Sequence, residues 1–243
     1  MLWYYGYDWT YFVLVLPTLL FALWAQARVN STFKKYSRVR NMRGMTGAQA
    51  AQAVLSANGV YGVRIERVSG NLTDHYDPKS NVIRLSDSVY DAPTPAAVGV
   101  AAHEAGHAVQ YAQNYALIKL RAAIVNVTNI GSRLSLPLII IGLLLMSVSG
   151  LGEFFYYVAL AGALCYGLCV IFQLVTLPTE FNASHRALKA IEGSALLTDE
   201  EQKGAKKVLT AAALTYVAAT ATALAQLLRL LVLFGGRGNR RRD

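Results

Sequence analysis

His103, Glu104 and His107 stand in the run His103-Glu104-Ala105-Gly106-His107. Residues four apart share one face of a helix, so both imidazoles can reach a single metal ion. A glutamate directly after the first histidine then sits beside the metal's open position, where its carboxylate can take a proton from water. The chain has 243 residues and 4 histidines, and two of those histidines are here. The competing reading is a pair of hydrogen-bonded histidines on an ordinary amphipathic helix. The scarcity of histidine weighs against it.

Such a pair has to be positioned by the rest of the chain, and the chain is unusually apolar. It is 54% hydrophobic with a mean hydropathy of +0.34. Long apolar runs account for this and read as membrane spans. The first runs from about Trp9 to Ala27, with Trp3, Tyr4, Tyr5, Tyr7, Trp9 and Tyr11 crowding its start as an interfacial belt does. Ala25-Gln26-Ala27 resembles a signal-peptide cleavage site. However, no basic segment comes first, and Asp8 precedes the apolar stretch, so an uncleaved anchor is expected. Arg28, Lys34, Lys35, Arg38, Arg40 and Arg43 follow with no acid among them, which keeps this segment in the cytoplasm. The formal net charge of +9 therefore reads as topology and attraction to anionic headgroups. No nucleic-acid module accompanies it, and no nucleic-acid partner is expected. Cys165 and Cys169, four apart in an apolar run, read as packing residues.

A polar stretch over about 44–130 follows the anchor. Thr46 reads as the N-cap of a helix through about Ala57, stopped by Asn58-Gly59. Val63-Arg64-Ile65-Glu66 alternates as a strand does, Asn71 to Pro78 is rich in turn residues and contains His75, and Asn81 to Leu85 reads as another strand. Thr94-Pro95 marks the start of the helix that carries both motif histidines. Gly106 inside that helix costs about 1 kcal/mol relative to alanine. It would let another segment, or a substrate backbone, approach closely.

Residues 117–133 read as an amphipathic connector, Leu134 to Ser149 as a second span and Glu153 to Leu177 as a third. If the first span runs inward, the second runs out and the third returns. Glu180 then emerges on the side that carries His103 and His107, whereas Glu153 lies on the other. A catalytic zinc takes three protein ligands and a water. Glu180 is the leading candidate for the third ligand, ahead of His185 and then Glu192. Residues 178–207 are polar with a helical pattern. Val208 to Phe234 is a fourth apolar run interrupted by Arg229, and Arg237, Arg240, Arg241 and Arg242 follow it. Whether that run crosses fully is left open, because a basic tail outside would oppose the positive-inside bias.

His-Glu-Ala-Gly-His-Ala-Val-Gln at 103–110 and Glu-Phe-Asn-Ala-Ser at 180–184 resemble the bacterial membrane-bound neutral zinc metallopeptidases of the YugP type. So do Asp74-His75-Tyr76-Asp77-Pro78 and Leu85-Ser86. The resemblance covers most of the chain and extends distantly to the HtpX-like and CAAX prenyl proteases. It implies zinc as cofactor, with His103, His107 and Glu180 as ligands. It further implies peptide hydrolysis, with Glu104 taking a proton from water and passing it to the leaving amine. Those distant relatives carry an aspartate four residues after the glutamate ligand, holding a zinc histidine. Ser184 stands there instead and can accept an imidazole N–H without a full charge. His185, beside it, is a candidate hydrogen-bond donor to the transition state. By analogy, the strand at Asn81–Leu85 would pair with an extended substrate as edge strands do. His75 reads as a turn residue bonded to backbone.

The expected fold is a mainly α membrane protein with three to four transmembrane helices and a small α+β, zincin-like catalytic domain in the cytoplasm. The segments expected are an anchor at 1–27, a catalytic domain at 28–133, a transmembrane hairpin at 134–177, a segment with the third ligand at 178–207, and a final apolar helix and tail at 208–243. The expected location is the inner membrane. The expected partners are the lipid bilayer and protein or peptide substrates, membrane proteins among them. Two other readings compete with this one. An intramembrane site-2-type protease needs an aspartate ligand inside a span, and the aspartates at 8, 74, 77, 87, 91, 199 and 243 all lie outside the spans. A non-catalytic scaffold with a structural zinc would have no need of Glu104.

Overall fold

A computed structural model describes the backbone of residues 3–4, 7–146 and 150–238, and the side chains of 9–146 and 150–234. Tyr5, the end of the second expected span at 147–149, and Arg240 to Arg242 lie outside the described residues, as does the side chain of Arg237. In chain order the elements are β1 (Trp3–Tyr4), β2 (Tyr7–Asp8), a π-helical turn at Tyr11–Val15 leading into α1 (Leu16–Tyr36), α2 (Gly47–Ala57), β3 (Arg64–Val68), β4 (His75–Asp77) and β5 (Val82–Ser86). Four further helices follow: α3 (Pro95–Ala112), α4 (Ala116–Leu145), α5 (Gly152–Gly193) and α6 (Asp199–Gly238).

The local rules of the sequence are visible at the helix starts. Thr46 caps α2 in a full capping box, its hydroxyl accepting from the Gln49 N–H while the Gln49 side chain accepts from the Thr46 N–H. Thr94 caps α3 by accepting from the Ala97 N–H, and Pro95 occupies the first turn, where no donor is needed.

Among the described residues, four helices are long and apolar enough to cross a membrane: Tyr11–Tyr36, Ala116–Leu145, Gly152–Gly193 and Asp199–Phe234. They are longer than the apolar runs that mark them. The connector expected at 117–133 and the second span are one helix, α4. The third span continues through Pro178 into α5, whose 42 residues extend roughly 63 Å at ~1.5 Å per residue, about twice the hydrocarbon thickness of a bilayer. The boundary expected at 207 falls inside α6.

The chain forms two compact units, one of residues 1–23, 120–177 and 216–243 and one of residues 24–119 and 178–215. In the first, small residues let helices meet. A Cβ on Gly142 would lie 2.5 Å from the Ala159 nitrogen, and one on Gly162 would lie 2.8 Å from the Ser135 carbonyl. This close packing suits helices in lipid, where apolar burial alone drives little association. Leu136, Leu144, Phe154 and Leu164 face outward, the reverse of a soluble fold. Cys165 and Cys169 are free thiols.

The second unit has the only extensive water-type core among the described residues. Ala50, Ala51, Val54 and Leu55 of α2 and Ile83 and Leu85 of β5 pack with Ala97, Ala101, Ala105 and Val109 of α3. Ala187, Ile191 and Leu209 close the cluster. Its sheet has the order β3-β5-β4, with β3 parallel and β4 antiparallel to β5. This corrects one expectation. The strand at 81–85 is central, not an edge, because a third strand, β4, forms within the stretch read as turns. With both ladders of β5 filled, β4 and β3 hold the edges.

Candidate metal centre

On α3, His103, Gly106, His107 and Gln110 recur at the spacing of one helical face. On α5, Glu180, Ala183, Ser184, Ala187 and Ile191 do the same. The two faces meet. A Cβ on Gly106 would lie 2.7 Å from the Ala183 carbonyl oxygen, so only glycine permits this approach. The close segment that Gly106 admits is therefore the helix bearing Glu180.

The approach brings His103, His107 and Glu180 together, with one ligand atom from each within 4.8 Å of the others. His103 Nε2 lies 3.2 Å, and His107 Nε2 3.4 Å, from Glu180 Oε2. The opposite ring nitrogens are also engaged. His103 Nδ1 lies 3.0 Å from Ser184 Oγ, and His107 Nδ1 lies 3.0 Å from Gln110 Oε1. The Gln110 amide is oriented unambiguously, because its nitrogen donates to the Thr179 carbonyl and to Asn182 Oδ1, each at 2.9 Å. Gln110 Oε1 is thus an acceptor, and His107 Nδ1 must carry the hydrogen. A neutral His107 then presents a bare Nε2 to the Glu180 carboxylate. The Ser184 hydroxyl can accept from His103 Nδ1 in the same way, and in that tautomer three acceptors converge on one point, where a cation fits. Two imidazoles and a carboxylate are the donor set of a catalytic zinc that keeps one position open.

Electrostatics point the same way. Burial works against a charge on His107, yet hydrogen bonding to Glu180, the charges of Glu104 and Glu180, and Gln110 raise its pKa above the ordinary imidazole value. The surroundings of His107 therefore favour a positive charge at this point. Glu104 is half-buried on α3 and is absent from the ligand cluster. Its charge also reaches Asp74, whose carboxyl burial pushes upward, with Glu104 adding to the rise and the Ser86 hydrogen bonds opposing it.

The motif residues that carried the resemblance now have structural roles. Asp74 accepts from the Ser86 N–H at 2.7 Å and the Ser86 hydroxyl at 2.9 Å, fastening the start of β4 to β5. Asn182 Oδ1 also accepts from Arg186 Nε at 2.8 Å. The Arg186 guanidinium lies 5.9 Å from the Tyr115 ring, so the turn after α3 and the C-terminal part of α5 are joined near the cluster. His75 Nδ1 lies 2.9 Å from the Thr73 carbonyl, and the ring is exposed at the start of β4.

His185 and Glu192 are exposed and outside the cluster. His185 is five residues from Glu180, about 140° around a helix of ~3.6 residues per turn, so it leaves the face that meets α3. Gln110 was missed as a site residue. The usable signal was a glutamine three residues after His107, on the buried face of a helix.

Two comparisons bear on this geometry. Residues 11–235 match the family described as "Putative neutral zinc metallopeptidase". Over 221 residues, 91% of this chain and 95% of the relative, the sequence is 42% identical to "Putative membrane protease YugP" of Bacillus subtilis (strain 168). No solved structure matches significantly.

Proposed function

Because the chain belongs to the neutral zinc metallopeptidase family, we propose that it is a membrane-embedded endopeptidase in which Glu104 is the general base. Zinc is the cofactor, and the His-His-Glu group is its site. The observation that carries the reading is the convergence of His103 Nε2, His107 Nε2 and Glu180 Oε2 beside a carboxylate, Glu104, that takes no part in the cluster.

Zinc held by His103, His107 and Glu180 would supply the Lewis acidity that makes a water acidic and polarises a peptide carbonyl. The remaining work falls to the chain. Gln110 and Ser184 fix the two rings so that both Nε2 lone pairs face one point. Glu104 accepts one proton as water adds to the carbonyl carbon. It returns that proton to the amide nitrogen as the C–N bond breaks, leaving a carboxylic acid and an amine, and the acid's proton then passes to the amine to give a carboxylate and an ammonium. The small sheet and the two ligand-bearing helices support a zincin-like catalytic unit. Peptide and protein substrates, membrane proteins included, follow from the reaction. The basic run after the first span supports an inner-membrane location with the catalytic unit in the cytoplasm.

Zinc content and peptidase activity of the purified protein test this together. The wild type should hold about one zinc per chain, as three ligands and a water imply. Glu104→Gln should keep that zinc and lose turnover by about 10²-fold or more. An active Glu104→Gln protein would remove the general base from the mechanism. A zinc-loaded wild type inert toward unfolded and membrane proteins would favour the scaffold reading.

A further inference from the structure

The basic run after the first span is not uniform in space. Arg28, Thr32, Lys35 and Tyr36 lie on one face of α1, and Lys203, Lys206, Lys207, Thr210 and Ala211 lie on one face of α6. Both sets follow helical spacing. Together they line a cavity of about 440 Å³, within the ~300–1,000 Å³ typical of ligand sites. The helices are held together at one end of it by a close contact. A Cβ on Gly204 would lie 2.7 Å from Tyr36 Cδ1.

Five cations and two threonine hydroxyls line this space, and no acid does. Lys203 is bound to Glu200 at 2.5 Å. Among the described residues Arg28, Lys35, Lys206 and Lys207 make no salt bridge, although the Glu200 charge also reaches Lys207, and cations gathered around one cavity call for an anion.

The level of the cavity along its helices identifies the anion's source. On α1 the apolar sequence ends at Ala27 and the cations begin at Arg28. On α6 the cations end at Lys207 and the apolar sequence begins at Val208. Both changes occur at the cavity, so it sits where hydrocarbon gives way to headgroups. Trp24, whose ring lies 5.1 Å from the Arg28 guanidinium, is 48% exposed just below, as interfacial tryptophans are.

We propose that this cavity binds a phosphate-bearing anion, and that in the membrane its occupant is the headgroup of an anionic phospholipid. The threonines and Tyr36 offer hydroxyl hydrogen bonds, and the cations neutralise the phosphate charge. A lipid held here would bridge α1 to α6 at the edge of the unit that carries the metal centre.

The test uses the full-length protein, delipidated in a neutral detergent, with binding read by the shift in thermal unfolding. The probes are short-chain phosphatidylglycerol, short-chain phosphatidylcholine, inorganic phosphate and a poly-glutamate peptide. Phosphatidylglycerol should bind saturably, phosphatidylcholine should not, and phosphate should bind at least about tenfold more weakly than phosphatidylglycerol. Arg28→Gln/Lys35→Gln/Lys206→Gln/Lys207→Gln should weaken phosphatidylglycerol binding by about tenfold or more. Lys34→Gln/Arg38→Gln/Arg40→Gln/Arg43→Gln removes the same charge outside the cavity and should leave binding nearly unchanged. Lys206→Gln/Lys207→Gln, a milder change, should give an intermediate loss even if the fourfold variant folds poorly. Equal losses in the two fourfold variants, or equal binding of phosphatidylcholine, would overturn the site. Phosphate binding as tightly as the lipid, or poly-glutamate outcompeting the lipid, would overturn the lipid as its occupant.

Discussion

At the residue scale the proposed site depends on two hydrogen bonds to the histidine nitrogens that face away from Glu180. Ser184 and Gln110 occupy the Nδ1 atoms of His103 and His107. Gln110 is fully buried and ties His107 to the backbone of α5 at Thr179. Gln110→Leu should preserve volume, leave His107 Nδ1 without an acceptor and free the ring to turn. Zinc affinity, measured by competition with a chelator, should fall about 10–100-fold. Affinity within twofold of wild type would show that packing alone orients the ring. Glu180→Gln replaces an anionic oxygen with a neutral amide and should lose zinc and activity together, unlike Glu104→Gln. Retained zinc in Glu180→Gln would move the third ligand elsewhere.

At the scale of elements, the centre is the meeting of two small-residue faces. Gly106 and Ala183 set the distance between α3 and α5, and His103, His107 and Glu180 cluster around that contact. Gly106→Ala removes a helix-weakening glycine, a change that helix propensity alone makes stabilising by about 1 kcal/mol. The new methyl group would meet a backbone carbonyl at 2.7 Å, which no side-chain rotation can relieve. The helices must separate, so the expected result is destabilisation by about 1–3 kcal/mol in thermal or denaturant unfolding, with weaker zinc retention. A more stable, fully zinc-loaded variant would show that α5 is not held at this distance. The arrangement also explains why α5 runs unbroken past Pro178. The lost ladder hydrogen bond is tolerated because Glu180, Ala183 and Ser184 must continue on one helical face to reach both histidines.

At the scale of the molecule, metal binding, protonation and stability are linked. The pKa of His107 is raised in the folded, metal-free protein. Its contribution to stability is then complete below the unfolded imidazole value of about 6.5 and is lost as pH rises through the raised folded value. Zinc binding needs Nε2 unprotonated, so it strengthens over the same interval. The Tm difference between zinc-loaded and chelator-stripped protein should therefore widen from about pH 6 to about pH 8. A constant or narrowing difference would contradict the linkage. Orientation is a property of the whole chain too. Cysteines placed at Lys34 and Lys189 in intact cells should resist an impermeant external reagent, and labelling at either would invert the proposed topology.

Local chemistry was legible where short spacing decides it. Thr46 and Thr94 started helices because a capping hydroxyl and a first-turn proline act within a few residues. The metal motif was readable because residues four apart on a helix share a face in any fold. Span parity singled out Glu180 because membrane crossings would constrain distant residues without any knowledge of packing, and Glu180 does lie beside His103 and His107. Other features needed the tertiary structure. β4 forms only because β5 offers it an edge, and Asp74 fastens its start to Ser86, which stands 12 residues further on. The helix ends at 116, 193 and 199 were not marked by apolar runs, since a helix continues wherever its polar half finds a partner. His185 and Glu192 had the right chemistry on the right segment. Rotation around α5 excluded them from the cluster, and the roles of Gln110, Ala183 and Gly106 emerged only when α3 and α5 came together. Chemical type and spacing are written along the chain, whereas the face a residue presents to a distant helix is set by how the two helices pack.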